Sequence, residues 1–195
     1  LIVASPANPT GAMLSPDALR TLCDWCAARG VRLISDEIYH GVVFPGAPAQ
    51  SPAASFSDSA IVVNSVSKCH GMTGWRIGWA VAPADLIRPM ERLAQNLFIA
   101  PSAIGQVAAE AAFDATDELD ARVARYARNG RVLADALAVT GFRTLTAPQG
   151  AFYLYCDVSD LTDDSRDLSA RLLAELGVAA TPGLDFDPDR GARTL

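Results

Sequence analysis

The sequence predicts an α/β protein in which a mainly parallel sheet packed with helices is joined by a long helix to a small α+β region. Three observations carry this prediction. Short apolar runs at 1–6, 31–35 and 60–65 alternate with a helical pattern and short loops, which is the rhythm of βαβ units. From Pro83 the pattern turns helical and ends in one long amphipathic stretch. Beyond it, strand-like runs and a single helix return. The larger domain is therefore expected over 1–118, and the linking helix with the small C-terminal domain over 119–195.

The elements follow in order. "LIVASP" is a short buried strand ended by Pro6, and "NPTG" at 8–11 is turn chemistry. Ser15 followed by Pro16 supplies an N-cap and a proline at the first helical position, and Gly30 closes the helix. "VRLIS" is a second strand, ending in Asp36; after a polar, proline-rich loop, "AIVVNS" makes a third and "WRIGWAVA" at 75–82 a fourth. Helices are expected over 84–98, 102–113 and about 117–139, the last with Leu119, Val123, Tyr126, Leu133 and Leu137 on one face. "GFRTLTAP" and "GAFYLYCDV" read as strands, "SRDLSARLLAELG" as a helix, and "VAATPG" at 178–183 as one more strand. The chain opens inside a strand and stops at "RTL", so it is expected to be part of a longer protein.

Composition excludes several classes of function. Half of the 195 residues are hydrophobic, enough for a core, while a net charge of −6 and no Lys/Arg cluster argue against a nucleic-acid-binding surface. The apolar runs fall far short of the ~20 residues that span a bilayer, and no signal peptide is visible, so no membrane partner and a cytoplasmic location are expected. The pair Cys23 and Cys26 continues the stripe Leu19, Leu22, Cys23, Cys26, Ala27 at helical spacing. Both thiols are therefore expected as small core hydrophobes. Without a second ligand pair, and with only His40 and His70 at unhelpful spacing, no metal is expected.

Chemistry enters at "SVSKCHGMTGWRIGW". Lys68 is the only lysine, although Lys and Arg together number sixteen. An amine can lose its proton and attack a carbonyl carbon, which a guanidinium cannot do. Ligands of α/β sheets bind at the carboxyl ends of the strands, where Asn8 follows the first strand, Asp36 and Tyr39 the second, and Ser65 and Lys68 the third. Arg76 opens the fourth. Pyridoxal phosphate needs such a set: a lysine for its aldehyde, a carboxylate for its ring nitrogen and a cation for its phosphate. Taken singly, Asn8 and Asp36 are ordinary turn residues, Tyr39 a half-buried aromatic and Arg76 a partner for a surface carboxylate. Trp75 and Trp79 are expected in the core, and His70 in a loop.

"NPTG", "SDEIY", "SVSK", "MTGWRIGW", "PQGAFYLY" and "TPGLDF", in this order along nearly the whole chain, resemble the class I/II (fold type I) aminotransferases related to aspartate aminotransferase. The resemblance implies that the first region is part of a large pyridoxal-phosphate-binding domain and that Lys68 forms the internal aldimine and acts as general base. It implies that Asp36 pairs with the pyridinium nitrogen, that Tyr39 and Asn8 hydrogen-bond the ring oxygen, and that Ser65 and Arg76, with Ser67 assisting, bind the phosphate. It further implies amino-acid and 2-oxo-acid substrates and a homodimer. Asp187 departs from the family's usual glycine, and the arginine for the substrate carboxylate is expected past Leu195, not at Arg193. Two other activities share most of these residues: a C–S β-lyase of the same fold, which Tyr39 disfavours, and a non-catalytic regulatory domain that binds the cofactor or an effector.

Overall fold

The structure, a computed structural model, describes residues 1–195 and divides into two compact units. The first comprises 1–7, 12–125 and 149–151; the second comprises 8–11, 126–148 and 152–195.

In the first unit, β1 (Ile2–Ala4), β2 (Ile34–Asp36), β3 (Ile61–Ser65) and β4 (Gly78–Val81) form one sheet in that order. The first three strands are parallel and β4 runs antiparallel to β3. Between β1 and β2 lies α1 (Pro16–Ala28), capped by Ser15, whose side chain accepts from the Ala18 N–H. Its chain exit needs Gly30 at φ 63°. The expected stripe points inward: Leu19, Cys23 and Cys26 are buried against Leu33, Ala53, Ala60 and Val62. Each fully buried side chain of leucine size contributes roughly 1.5–3 kcal/mol, so this helix face is the main hydrophobic anchor of the sheet. All four cysteines are free thiols, and no group of His, Cys, Asp and Glu side chains could hold a metal ion.

The fourth strand starts later than its apolar run. Thr73–Trp75 is a single 3-10 turn and Arg76 is left-handed, at φ 56° and ψ 42°, so pairing begins only at Gly78. Trp75 and Trp79, expected in the core, are exposed instead. The reason is that β4 has a partner on one side only and is exposed along its length; Trp79 packs merely against Phe113, with ring centroids 5.7 Å apart. The helices α2 (Ala84–Leu97) and α3 (Ala103–Ala112) follow. Next comes α4 (Thr116–Leu137), whose residues up to Arg125 count with the first unit and the rest with the second. No helix is long and apolar enough to cross a membrane.

In the second unit, β5 (Arg143–Thr144) pairs antiparallel with β6 (Cys156–Asp157), and α5 (Ser165–Leu176) covers them through a core of Cys156, Val158 and Leu168. Both strands are shorter than their sequence runs. One cause lies at 149–151, where Gln149 O accepts from the Phe44 N–H and the Ala151 N–H donates to Val42 O. Those backbone groups are therefore committed within the first unit. The strand expected at 178–183 does not form. Its groups bond elsewhere: the Val178 N–H to Leu172 O, Ala180 O to the Ser169 hydroxyl, and the Gly183 N–H to Thr194 O.

Candidate active site

Strand direction builds the site. Asp36 ends β2 opposite Val63 of the parallel β3, and β3 ends at Ser65. Because β4 runs the other way, its first residue, Gly78, lies opposite Ser65 and brings Arg76 back to the same edge. A cavity of about 490 Å³ results, lined among others by Asp36, Ser65, Ser67, Arg76 and Gly78. Gly78 lets β4 approach β3 closely at this edge: a Cβ there would sit 3.0 Å from both Asn64 O and Ser65 Cβ.

The charged groups of this cavity are not neutralised by protein partners. The Asp36 carboxylate accepts one hydrogen bond, from the Ile38 N–H at 3.1 Å, which is local turn geometry. Arg76 donates one N–H to Thr73 O at 3.0 Å and pairs with no carboxylate. A non-glycine residue held left-handed is uncommon, and here it aims a guanidinium at the strand ends. The Ser65 hydroxyl accepts from the Ser67 N–H at 3.0 Å, and Ser67 itself is buried.

Lys68 and Tyr39 stand together rather than on that lining. Lys68 is half-buried, and its Nζ lies 5.8 Å from the centroid of the buried Tyr39 ring, within reach of a cation–π attraction. The amine makes no ion pair. The turn that carries it is tight: the Gly71 N–H donates to Lys68 O and the Met72 N–H to Val66 O. Its neighbour Cys69 packs on the Tyr39 loop, where a Cβ on Gly41 would lie 2.5 Å from Cys69 Sγ.

Sequence reasoning missed Glu37, which holds this loop from beneath. It is buried; its Oε1 accepts from the Ser35 hydroxyl at 3.0 Å and the Ala53 N–H at 2.7 Å, and its Oε2 lies 3.2 Å from His40 Nδ1. Burial pushes the Glu37 carboxyl up and the His40 imidazole down, so both shifts favour an uncharged pair. The available signal was its place in "SDEIY" between two chosen residues, but nothing in the sequence names its partners.

The remaining residues lie in the second unit. Asn8 lines an apolar cavity there with Phe152, Tyr155 and Phe186 among others. Arg193 pairs with Asp163 at 2.6 Å. Asp187, standing where the family has glycine, needs no left-handed backbone. Its carboxylate instead accepts from the Asp189 and Arg190 N–H groups, both at 3.0 Å, and so builds the turn itself.

A model of the family "aminotransferase class I and II" matches residues 1–190. The chain belongs to this family. The valine–pyruvate aminotransferase of Mycobacterium tuberculosis is 49% identical over 193 residues, 98% of this chain and 50% of that protein. The aspartate aminotransferase of Geobacillus stearothermophilus is 36% identical over 196 residues, covering 95% and 50%. The crystal structure of an aminotransferase from Mycobacterium tuberculosis superposes with a TM-score of 0.95 at 49% identity, covering 99% of this chain and 50% of that one. The chain thus spans about half the length of the curated relatives it matches. Class I and II aminotransferases use pyridoxal 5′-phosphate. The donor set fits that group: an unpaired carboxylate and an unpaired guanidinium share one cavity, which suits a ligand with a cationic ring nitrogen and an anionic phosphate.

Proposed function

We propose that the whole protein moves an amino group from an amino acid to a 2-oxo acid, with this aminotransferase chain holding the cofactor. One observation carries the reading: the sole lysine, whose amine makes no ion pair, directly follows Ser67 on the lining of a cavity where Asp36 and Arg76 both lack a charged partner. When bound, pyridoxal phosphate supplies a carbonyl carbon for amines and a protonated ring that draws electron density from the substrate Cα. Asp36 holds the proton on the ring nitrogen. Arg76 and Ser65, with Ser67, bind the phosphate through charge-assisted hydrogen bonds. Lys68 Nζ would take the proton from the substrate Cα and deliver it to the cofactor's C4′ carbon, across the substrate nitrogen, acting as general base and then acid. Tyr39, under Lys68, donates to the ring oxygen; the same role for Asn8 rests on the motif "NPTG".

The relatives support one substrate class over another. At 49% identity the valine–pyruvate enzyme is more similar than the aspartate enzyme at 36%, which favours an apolar amino donor with pyruvate as acceptor. A homodimer is supported by exposed apolar side chains such as Leu97, Phe98, Ile99, Ile104 and Val107. The test is a panel of amino donors against pyruvate and 2-oxoglutarate with the whole protein, products identified by mass, and Lys68→Arg as control. Valine and alanine-forming turnover that vanishes in Lys68→Arg is expected. Turnover surviving that substitution, or pyruvate and ammonia released from cysteine-like donors without amino transfer, would overturn it.

A further inference from the structure

The turn that carries Lys68 is closed by two hydrogen bonds of its own, and one of its carbonyls is held from a distant helix. Cys69 O accepts from Nη1 of Arg122, at 3.1 Å and 53 residues away in sequence. Arg122 is half-buried on α4, within the first unit, and pairs with no carboxylate; a guanidinium that gives up solvent for a single backbone carbonyl is serving geometry more than charge balance. The turn is shaped to receive it. Gly71, left-handed at φ 66°, would carry a Cβ only 2.2 Å from Nη1 and 2.8 Å from Cζ, so the absence of a side chain there makes room for the arginine. On the other side, Cys69 is buried with its thiol seated on Gly41 of the Tyr39 loop. The residue next to Lys68 is therefore gripped twice, by its carbonyl and by its side chain.

We infer that Arg122 is a positioning residue for Lys68, fixing the backbone from which the amine reaches over Tyr39. The inference rests on the proposed role of Lys68 as the proton-carrying amine, but the grip itself is independent of that role. Without Arg122 the Lys68 turn keeps its internal bonds and its packing on α3 through Val66, Met72 and His70, and loses its hydrogen bond to α4. The amine then samples directions that are unproductive, and a displacement of about 1 Å can cost on the order of 100-fold in rate.

The experiment uses the whole protein with Arg122→Met, which keeps the alkyl stem and loses the donors, and Arg122→Ala, which leaves space for an added guanidinium. In the cofactor-free proteins, hydrogen exchange of the peptide spanning 66–72 is expected to speed up roughly tenfold in Arg122→Met while the sheet peptides stay unchanged. In the loaded enzymes, kcat is expected to fall roughly 10- to 100-fold with KM within about twofold, and ethylguanidinium is expected to restore part of the kcat of Arg122→Ala. Unchanged exchange at 66–72 would overturn the grip, whatever the activity. Faster exchange with wild-type kcat would overturn the positioning of Lys68. If the wild-type protein itself does not transaminate, the proposed function fails, and the exchange measurement still decides the grip.

Discussion

Replacing Glu37 by glutamine should cost far less than replacing it by alanine, although both remove the acid. In the native fold Glu37 receives two buried donors, the Ser35 hydroxyl and the Ala53 N–H, and faces His40 Nδ1. Burial drives the pair toward neutrality, in which the carboxylic acid O–H donates to Nδ1. A glutamine keeps one oxygen for Ser35 and Ala53, and its amide N–H replaces the acid O–H. Glu37→Gln should therefore cost less than about 1 kcal/mol. Alanine leaves two buried donors, the Ser35 hydroxyl and the Ala53 N–H, without a partner, at about 1–3 kcal/mol each, so Glu37→Ala should cost roughly 2–6 kcal/mol and loosen Asp36 and Tyr39 on either side. The assay is urea unfolding of the whole protein, with hydrogen exchange at Ala53 as the local readout. The pH dependence follows from the shifts. A raised carboxyl pKa means that the stability from Glu37 is complete below the unfolded value near 4.5 and is lost as pH rises through the folded value. Relative to wild type, Glu37→Gln should thus gain stability as pH rises above that point. A glutamine variant destabilised by 3 kcal/mol or more would refute the reasoning, because that is the cost of breaking a buried ion pair.

Three further outcomes are expected. Asp36→Asn should still bind the cofactor but slow proton abstraction at Cα by orders of magnitude, each ~1.4 kcal/mol of barrier being tenfold; normal abstraction in single-turnover kinetics would contradict the assigned role. Gly78→Ala places a methyl 3.0 Å from Asn64 O, so it should cost about 1–3 kcal/mol and weaken cofactor binding, measured by titration. Arg143 holds the Asp157 carboxyl down at about 2 from 3.8, so the stability it confers is present above 3.8 and lost as pH falls toward 2. Both side chains being partly exposed, solvent screening keeps the pair weak, so Arg143→Met should cost little at neutral pH and progressively less as pH falls through about 2, read by unfolding across that range.

What the sequence determined by itself is whatever depends on neighbours along the chain. The cap at Ser15, the inward stripe of Leu19, Cys23 and Cys26, and the succession of strands and helices as far as the helix at 165–176 follow from local periodicity and turn chemistry, and the structure bears them out. Asp36 and Ser65 were legible because parallel strands end at a common edge. Three things needed the tertiary structure. The antiparallel course of β4 decides that Arg76 returns to Ser65, and the same edge position leaves Trp75 and Trp79 exposed, whereas a run of apolar residues reads as buried. The expected strand at 178–183 lost to side-chain and loop partners, since a strand exists only where another strand presents free groups. Last, the partners of Glu37 and Arg122 lie up to 53 residues away. No periodicity encodes such a pairing, because a hydrogen bond between distant residues is fixed by how the elements pack and not by the spacing of residue types along the chain.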